Sequence, residues 1–523
     1  MNALLMLQVT LQALSTPSHA ASLDLIEVGG AYGTPGATNP TAIWWNPAGL
    51  AVGGGTQFMV ELAPTFGGVT ADRANPDYGT LNQDLGAAGY PTEYNYGGVD
   101  KLSTFAPVPF LGVSSNLMVP GLGVGLGLAV PTGRGGESDQ EFGANRYALR
   151  AGQIQALHVM AGASYQLLNK IALGASVSFV DSSYYANTDT TVYPDITAEV
   201  EGLVGPQDGY QDGYLEDKGY TTTAVLGGDE GNGDHGALHD TTFTFGAGLY
   251  VTPIGKKLGI SVSYNHGVRL DHDGDLNLKF QCPPQYVPGD IGSSLARVGA
   301  ETRGICDTNI KGTSAVGYNL PARINLGVVL SPIERLRLEV MGSYVMWSAF
   351  KDYEIHTDVT ADAIIEAATA ADKPVPSAEN AEATAELLTQ DRLWARDNQD
   401  TFWVGVDGKL KLVGPLSGGA RVTYDHHAIP DEALSANNID MDAVIVGLMT
   451  QINPIEKLGI GLSFSHQFLM TRTITNSAYG VTIDETAAKE DRYFYPSANG
   501  TYSGGINRLG VTVKGKFGGG SIW

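Results

Sequence analysis

Six arginines carry the chemistry this sequence offers most plainly. Arg146, Arg150, Arg269, Arg323, Arg337 and Arg421 each fall in or beside a stretch of alternating apolar and polar residues, at the polar parity. A guanidinium presents a fixed fork of donors and can hold a carboxylate through two bonds. Such groups, facing inward in an otherwise acidic chain, suit the anionic head of an amphipathic molecule. Their competing use is structural: Arg337 stands two residues from Glu339, and Arg–Glu or Arg–Asp pairs stiffen a wall. Trp44 and Trp45 offer apolar surface, either lining a ligand trough or filling an interface.

Two further clusters miss their metal templates. Asp271, Asp273 and Asp275 begin like a calcium loop, but Leu276 and Cys282 stand where Gly and Glu are required. His426 and His427 adjoin Asp425, yet neighbouring strand residues point to opposite faces, which argues against a zinc pair. The sequence contains no G-x-S-x-G, H-E-x-x-H or Walker pattern. His158 and His266 lie on expected strands without a distinguished serine beside them, so neither an enzyme such as an outer-membrane lipase nor a cofactor is expected.

The elements that position these groups are legible from punctuation. Thr252-Pro253-Ile254-Gly255, Ser331-Pro332-Ile333-Glu334 and Asn453-Pro454-Ile455-Glu456 are short turns, each joining two alternating runs. The far ends of those runs open into long, acidic, Gly-rich loops. Short turns on one side, long loops on the other and period-two strands between them define a transmembrane β-barrel. Alternation places strands near 56–66, 103–116, 122–132, 146–166, 171–184, 239–251, 257–280, 316–331, 336–356, 398–412, 418–429, 440–453, 457–473 and 504–517. The expected fold is therefore all-β, a fourteen-stranded antiparallel barrel. Charging its lipid side at mid-membrane costs about 2–4 kcal/mol per Arg or Lys, so Arg323, Arg337 and Glu339 are expected to face the lumen. Tyr318, Leu320, Ile324, Leu326, Val328 and Leu330 are expected on one lipid face. Leu336, Leu338, Val340, Tyr344, Met346 and Phe350 are expected on another. The Ala- and Glu-rich loop from Thr360 to Trp394 has helical spacing at Ala363, Ala367 and Ala371.

Composition agrees. Only 16% of residues are charged, Gly accounts for 68 of 523, and the net charge of −24 argues against nucleic acid as a partner. Residues 1–20 look like a signal peptide, with Ser18-His19-Ala20 as a cleavage pattern; no Lys or Arg precedes its apolar stretch. Cys282 and Cys306 share one expected outer loop and read as a disulfide, worth roughly 3 kcal/mol by loop closure. Residues 21–54, small and rich in turn-formers, cannot span lipid and fit a plug inside the barrel formed by residues 55–523.

Asn46-Pro47-Ala48 just after the signal, Leu320-Pro321-Ala322-Arg323 followed by Tyr344-Val345-Met346-Trp347-Ser348-Ala349-Phe350, and the stretch Asp271 to Asp275 together resemble the FadL family of outer-membrane transporters. The resemblance implies a fourteen-stranded barrel in the bacterial outer membrane, closed by an N-terminal hatch in which Asn46, Pro47 and Ala48 are the gating motif. It implies passive uptake of long-chain fatty acids or other hydrophobic molecules, captured at outer loops, bound beside the hatch and released sideways at a kinked third strand. Outer-membrane lipid is the surrounding partner, and a monomer is expected. A channel for neutral aromatic hydrocarbons is the alternative, and a structural barrel with an inert plug is a further one. The longer, more acidic loops and the two cysteines depart from the family pattern and leave the outer groove's specificity open.

Overall fold

A computed structural model describes residues 26–73, 98–139, 149–192, 220–226, 237–281, 301–435, 439–477 and 498–518. The signal segment, Arg146 and Cys282 lie outside the described residues.

One antiparallel sheet closes on itself. Its segments are β1 (Thr56–Arg73), β2 (Gly98–Ser115), β3 (Leu122–Ser138), β4 (Ala151–Leu167), β5 (Ile171–Val192), β6 (Tyr220–Leu226), β7 (Leu238–Val251), β8 (Leu258–Asn265), β9 (Val268–Gln281), β10 (Asn309–Leu320), β11 (Arg323–Ile333), β12 (Leu336–Val345), β13 (Asp352–Asp358), β14 (Gln390–Ala395), β15 (Thr401–Lys411), β16 (Leu416–Asp425), β17 (Ala443–Ile455), β18 (Leu458–Ile474) and β19 (Gly500–Phe517). Four crossings are interrupted (β8/β9, β10/β11, β12/β13 and β14/β15) and β6 is an outer-loop arm paired with β5 and β9, so the wall has fourteen strands. β1 pairs with β19 from Thr56↔Phe517 to Arg73↔Gly500, which leaves no open edge for lipid to meet. No helix among the described residues is long and apolar enough to cross a membrane; the crossing is made by strands.

Alternation does what a barrel in lipid requires. Leu62, Leu126, Leu173, Leu326, Val340, Val404 and Leu462 are exposed on the outer wall, while Glu61, Ser263, Asn325, Glu339, Asp407 and Arg421 are buried inside it. Arg323, Arg337 and Glu339 face inward as the alternation predicts.

The period fails at one level of the wall. Pro321 and Ala322 leave the ladder, and His266 and Gly267 on the adjacent strand leave it opposite them. Pairing resumes in register, with Leu320↔Val268 on one side of the break and Arg323↔Asn265 on the other. Pro321 has no N–H to donate, and a Cβ at Gly267 would lie 2.5 Å from the Leu320 carbonyl oxygen. Inward parity flips across the break, from Ser263 and Asn325 below to Leu270, His272, Tyr318 and Leu320 above. The expectation that Tyr318 and Leu320 share the lipid face with Leu326 is thus overturned. So is that for Phe350, which lies beyond a short turn at Trp347–Ala349 and is 1% exposed. Tyr318, Trp347, Phe350 and Tyr353 instead stack on one another and on Tyr184 inside the outer half of the barrel. The loop helices expected after Thr360 are present as Ala361–Ala370 and Ala378–Leu388. Their first turns are capped by the Thr360 and Ser377 hydroxyls, which accept from the Ala363 and Asn380 N–H groups.

Candidate functional site: the hatch, its cavity and the wall beside it

Residues 26–54 lie inside the cylinder, because they touch the inner wall all the way round. Two short helices, α1 (Ala42–Trp45) and α2 (Gly49–Gly53), flank the Asn46-Pro47-Ala48 turn. Pro47 cannot continue a helix, and it holds Asn46 in extended backbone (φ −159°, ψ 100°). The Asn46 side chain then acts as a bracket. Its amide donates to Leu249 O (3.0 Å), Ser261 Oγ (2.8 Å) and Val262 O (3.3 Å), and its Oδ1 accepts from the Ala48 N–H (3.1 Å). Elsewhere the hatch is held by wall acids and bases. Glu339 accepts from the Thr34 hydroxyl and the Gly36 N–H, both at 2.8 Å. Arg337 donates to Gly36 O (2.9 Å) and lies 2.8 Å from Glu339. Arg421 donates to Gly30 O and Ala31 O at 3.2 Å and pairs with Asp407 at 3.2 Å. Tyr32 donates to Gln451 (2.9 Å), and Lys514 sits 4.1 Å over its ring.

The wall makes room with glycine. A Cβ on Gly174 would lie 2.4 Å from Ala48 N, and one on Gly123 would lie 2.3 Å from Ala51 N. Both are backbone contacts that no rotamer change relieves. Replacing Asn46 by Ala removes the whole bracket, leaves the Ser261 hydroxyl with Pro35 O alone and takes the Asn46 acceptor from the Ala48 N–H. We expect a loss of about 1–3 kcal/mol in hatch seating, read as faster protease cleavage within residues 26–54 while the heat-resistant folded band on a gel persists. Unchanged cleavage would remove the bracket role.

The sequence-selected tryptophans divide. Trp45 fills the interface: it is 1% exposed, donates Nε1–H to Val28 O (2.9 Å) and meets Trp403 edge-on at 5.8 Å. Trp44 lines a small cavity together with Ile43, Thr132, His158, Phe245 and Arg323. Arg323 lies 5.2 Å over the Trp44 ring, and His158 packs edge-on to it at 5.2 Å. His158 is 3% exposed, and neither ring nitrogen has a hydrogen-bond partner. Of the other arginines, Arg150 lies at the start of β4, where its N–H donates to Asn187 O, away from the cavity. Arg269 does not face the lumen. It lies on the exposed face with Asp271 (2.8 Å) and Glu354 (2.7 Å), because the break at His266–Gly267 reversed the parity on which the expectation rested.

The wall beside this cavity is incomplete. β2 and β3 pair at Leu102↔Ser138 and Ser103↔Glu137, then again from Phe110↔Ala129 to Ser115↔Val124. Thr104–Pro109 and Val130–Gly136 have no ladder pairs with each other. The sequence reason is local: Pro107, Pro109 and Pro131 lack the N–H a ladder needs. β3 bulges against β4 between Ala129 and Thr132, and from Ala129 to Arg134 most of its side chains are buried, so the strand bends inward. Thr132 on this bend lines the cavity. Arg134, two residues on, is 8% exposed, and its Nη2 has no hydrogen-bond partner. Sequence reasoning passed over the unpartnered His158 and Arg134; the gap falls on the third strand, where the resemblance implied a kink, and three prolines inside two expected strands are its signal in the sequence.

At the outer rim β16 ends at Asp425, so His426 and His427 are not strand neighbours and both rings turn toward Asp442. The alternation argument against their acting together does not hold in this geometry. Asp271, Asp273 and Asp275 line the exposed face of β9, a straight strand rather than a loop. Cys306 is buried in the outer loops beside Ile305 and Ile310.

A family model described as outer membrane protein transport protein (OMPP1/FadL/TodX) matches residues 6–517. Among solved structures, a FadL homologue of Pseudomonas aeruginosa superposes with a TM-score of 0.65 at 15% identity, covering 96% of this chain and 99% of that one. The toluene transporter TodX of P. putida gives 0.60 at 15% identity, with 96% and 99% covered. The toluene transporter TbuX of Ralstonia pickettii gives 0.55 at 13%, with 95% and 98% covered. At these identities the structures speak to the fold. No curated protein matches the sequence.

Proposed function

The chain belongs to the OMPP1/FadL/TodX family of outer-membrane transport proteins, and from that membership we propose that it takes up a long-chain fatty acid or similar amphipath. Transport of hydrophobic compounds across the outer membrane is the family's activity; the acid head group is the finer reading. The observation that carries it is His158. A neutral imidazole has one donor and one acceptor, and a buried polar group without partners is costly. A carboxylate accepts from the ring N–H, while a bare arene offers no acceptor lone pair. Arg323 beside the cavity and Arg134 along the gap add positive charge on the same path. Ligand captured among the outer loops reaches the cavity at Trp44, and the unpaired stretch between β2 and β3 is its sideways exit into the membrane. Movement of the Asn46-Pro47-Ala48 turn gates that step. Because β1 and β19 close one chain on itself, a monomer suffices. A Cys282–Cys306 bridge would tie the outer loop that carries both; peptide mapping without reduction tests it.

His158→Leu should weaken binding of a long-chain carboxylate about tenfold, the worth of one to two hydrogen bonds, and leave toluene binding unchanged. Quenching of Trp44-region fluorescence in detergent reads both ligands. If the variant and wild type bind the carboxylate alike, the reading fails. The neutral-aromatic reading has its own support: Arg337 and Arg421 are engaged with acids and hatch carbonyls rather than aimed at a ligand. Toluene bound by wild type with no carboxylate competition would establish that reading instead.

A further inference from the structure

We propose that His426, His427 and Asp442 form a binding site for a divalent transition metal, Zn²⁺ being the simplest occupant, that ties down the outer loop. Among the described residues this is the His/Cys/Asp/Glu group whose ligand atoms all lie within 4.8 Å of one another. The Nδ1 atoms of His426 and His427 stand 2.9 and 2.6 Å from the same carboxylate oxygen, Asp442 Oδ1. Their ring centroids are 4.5 Å apart. Two imidazoles and a carboxylate are a borderline ligand set suited to Zn²⁺, Cu²⁺ or Ni²⁺, with a fourth position left for water or substrate.

The groups that orient the carboxylate are already in place. The Tyr424 hydroxyl donates to Asp442 Oδ2 (2.9 Å), and the His427 N–H donates to Oδ1 (3.0 Å). Such contacts fix the orientation of a ligating carboxylate. Without metal, each Nδ1–H can donate to Asp442 Oδ1; with metal on Nδ1, each ring carries its proton on Nε2.

The site's position gives it a consequence. Asp442 lies at the foot of β17 and the histidines lie just past β16, so the ion would bridge the two ends of the loop 426–442. Its described residues Ile429, Leu434, Ile439 and Met441 pack on Val69, Leu102, Leu469 and Tyr502, from the strands that follow β17 round the wall. A metal there would tie the end of β16 to the start of β17 beside this packed cluster.

The test uses the full chain folded in mild detergent. Calorimetric titration with Zn²⁺ should give one site. Co²⁺ should give the visible absorption bands of a low-coordinate nitrogen–oxygen site. The double variant His426→Ala/His427→Ala should abolish both. Tyr424→Phe should weaken Zn²⁺ about tenfold, the lower end for losing a hydrogen bond that orients a ligating carboxylate. His356→Ala, which removes an exposed histidine paired with Asp391 at 2.6 Å, should change neither. Zn²⁺ should also slow protease cleavage within 426–442 of wild type. Absence of both the isotherm and the Co²⁺ bands in folded wild type overturns the site, as does undiminished binding by the double variant.

Discussion

A Gly174→Val barrel is expected to fold and to leak. The new Cβ would meet Ala48 N at 2.4 Å and the Pro47 carbonyl carbon at 2.5 Å. Both are backbone atoms, so the hatch must move away or the wall must swell. Overpacking a well-filled site costs about 1–3 kcal/mol. The wall cannot take that strain, because Gly174 is paired with Ser164 on β4 and Gly248 on β7. The hatch, anchored through a handful of side chains, gives way first. Liposomes carrying the variant should therefore swell in a small sugar that wild type excludes, while the heat-resistant band on a gel is kept. Gly123→Val, pressing on Ala51 instead, should behave alike. A variant as tight as wild type would mean that the hatch tolerates displacement without opening a path, and would separate the Asn46-Pro47-Ala48 turn from gating.

Glu339→Ala should loosen the hatch from another part of the wall. Glu339 is fully buried and accepts from Thr34, Gly36 and Arg337. Its loss strips two hatch donors and leaves Arg337 with Asp407 at 3.9 Å as its nearest acid. Removing one partner of a buried pair costs about 3–5 kcal/mol. Arg337 keeps about a quarter of its side chain exposed, so the lower end, about 3 kcal/mol, is expected. Urea unfolding in detergent followed by tryptophan fluorescence reads it, since Trp44 and Trp45 report on hatch packing. Glu339→Gln keeps the acceptor oxygen and should recover part of the loss. Equal midpoints for Glu339→Ala and wild type would show that Glu339 adds nothing to the hold of the other hatch anchors.

These two variants separate two kinds of information in the chain. The strand count was legible because each crossing meets lipid on one side and lumen on the other, so every strand carries its own period-two record. Leu462 facing lipid and Ser463 facing the lumen needs no knowledge of any other strand. The turns are equally local, because Pro and Gly act through their own backbone. The hatch was legible for a related reason: a segment of small residues and turn-formers cannot satisfy its backbone in lipid. Alternation failed where two strands broke together, at His266–Gly267 and Pro321–Ala322. Tyr318 and Arg269 were assigned to the wrong faces there, because a parity count cannot detect residues that drop out of the ladder.

The sequence by itself determined the barrel, its inward polar face and the presence of a stopper, since those follow from rules acting within about ten residues. Only the tertiary structure decided which polar groups are engaged. Arg421 meets Gly30, Glu339 meets Thr34, and neither ring nitrogen of His158 meets a hydrogen-bond partner. Each outcome depends on a chain segment hundreds of residues away. The physical reason is that burial and pairing are properties of surroundings in space, and a local pattern carries no record of what will arrive from the far side of the cylinder.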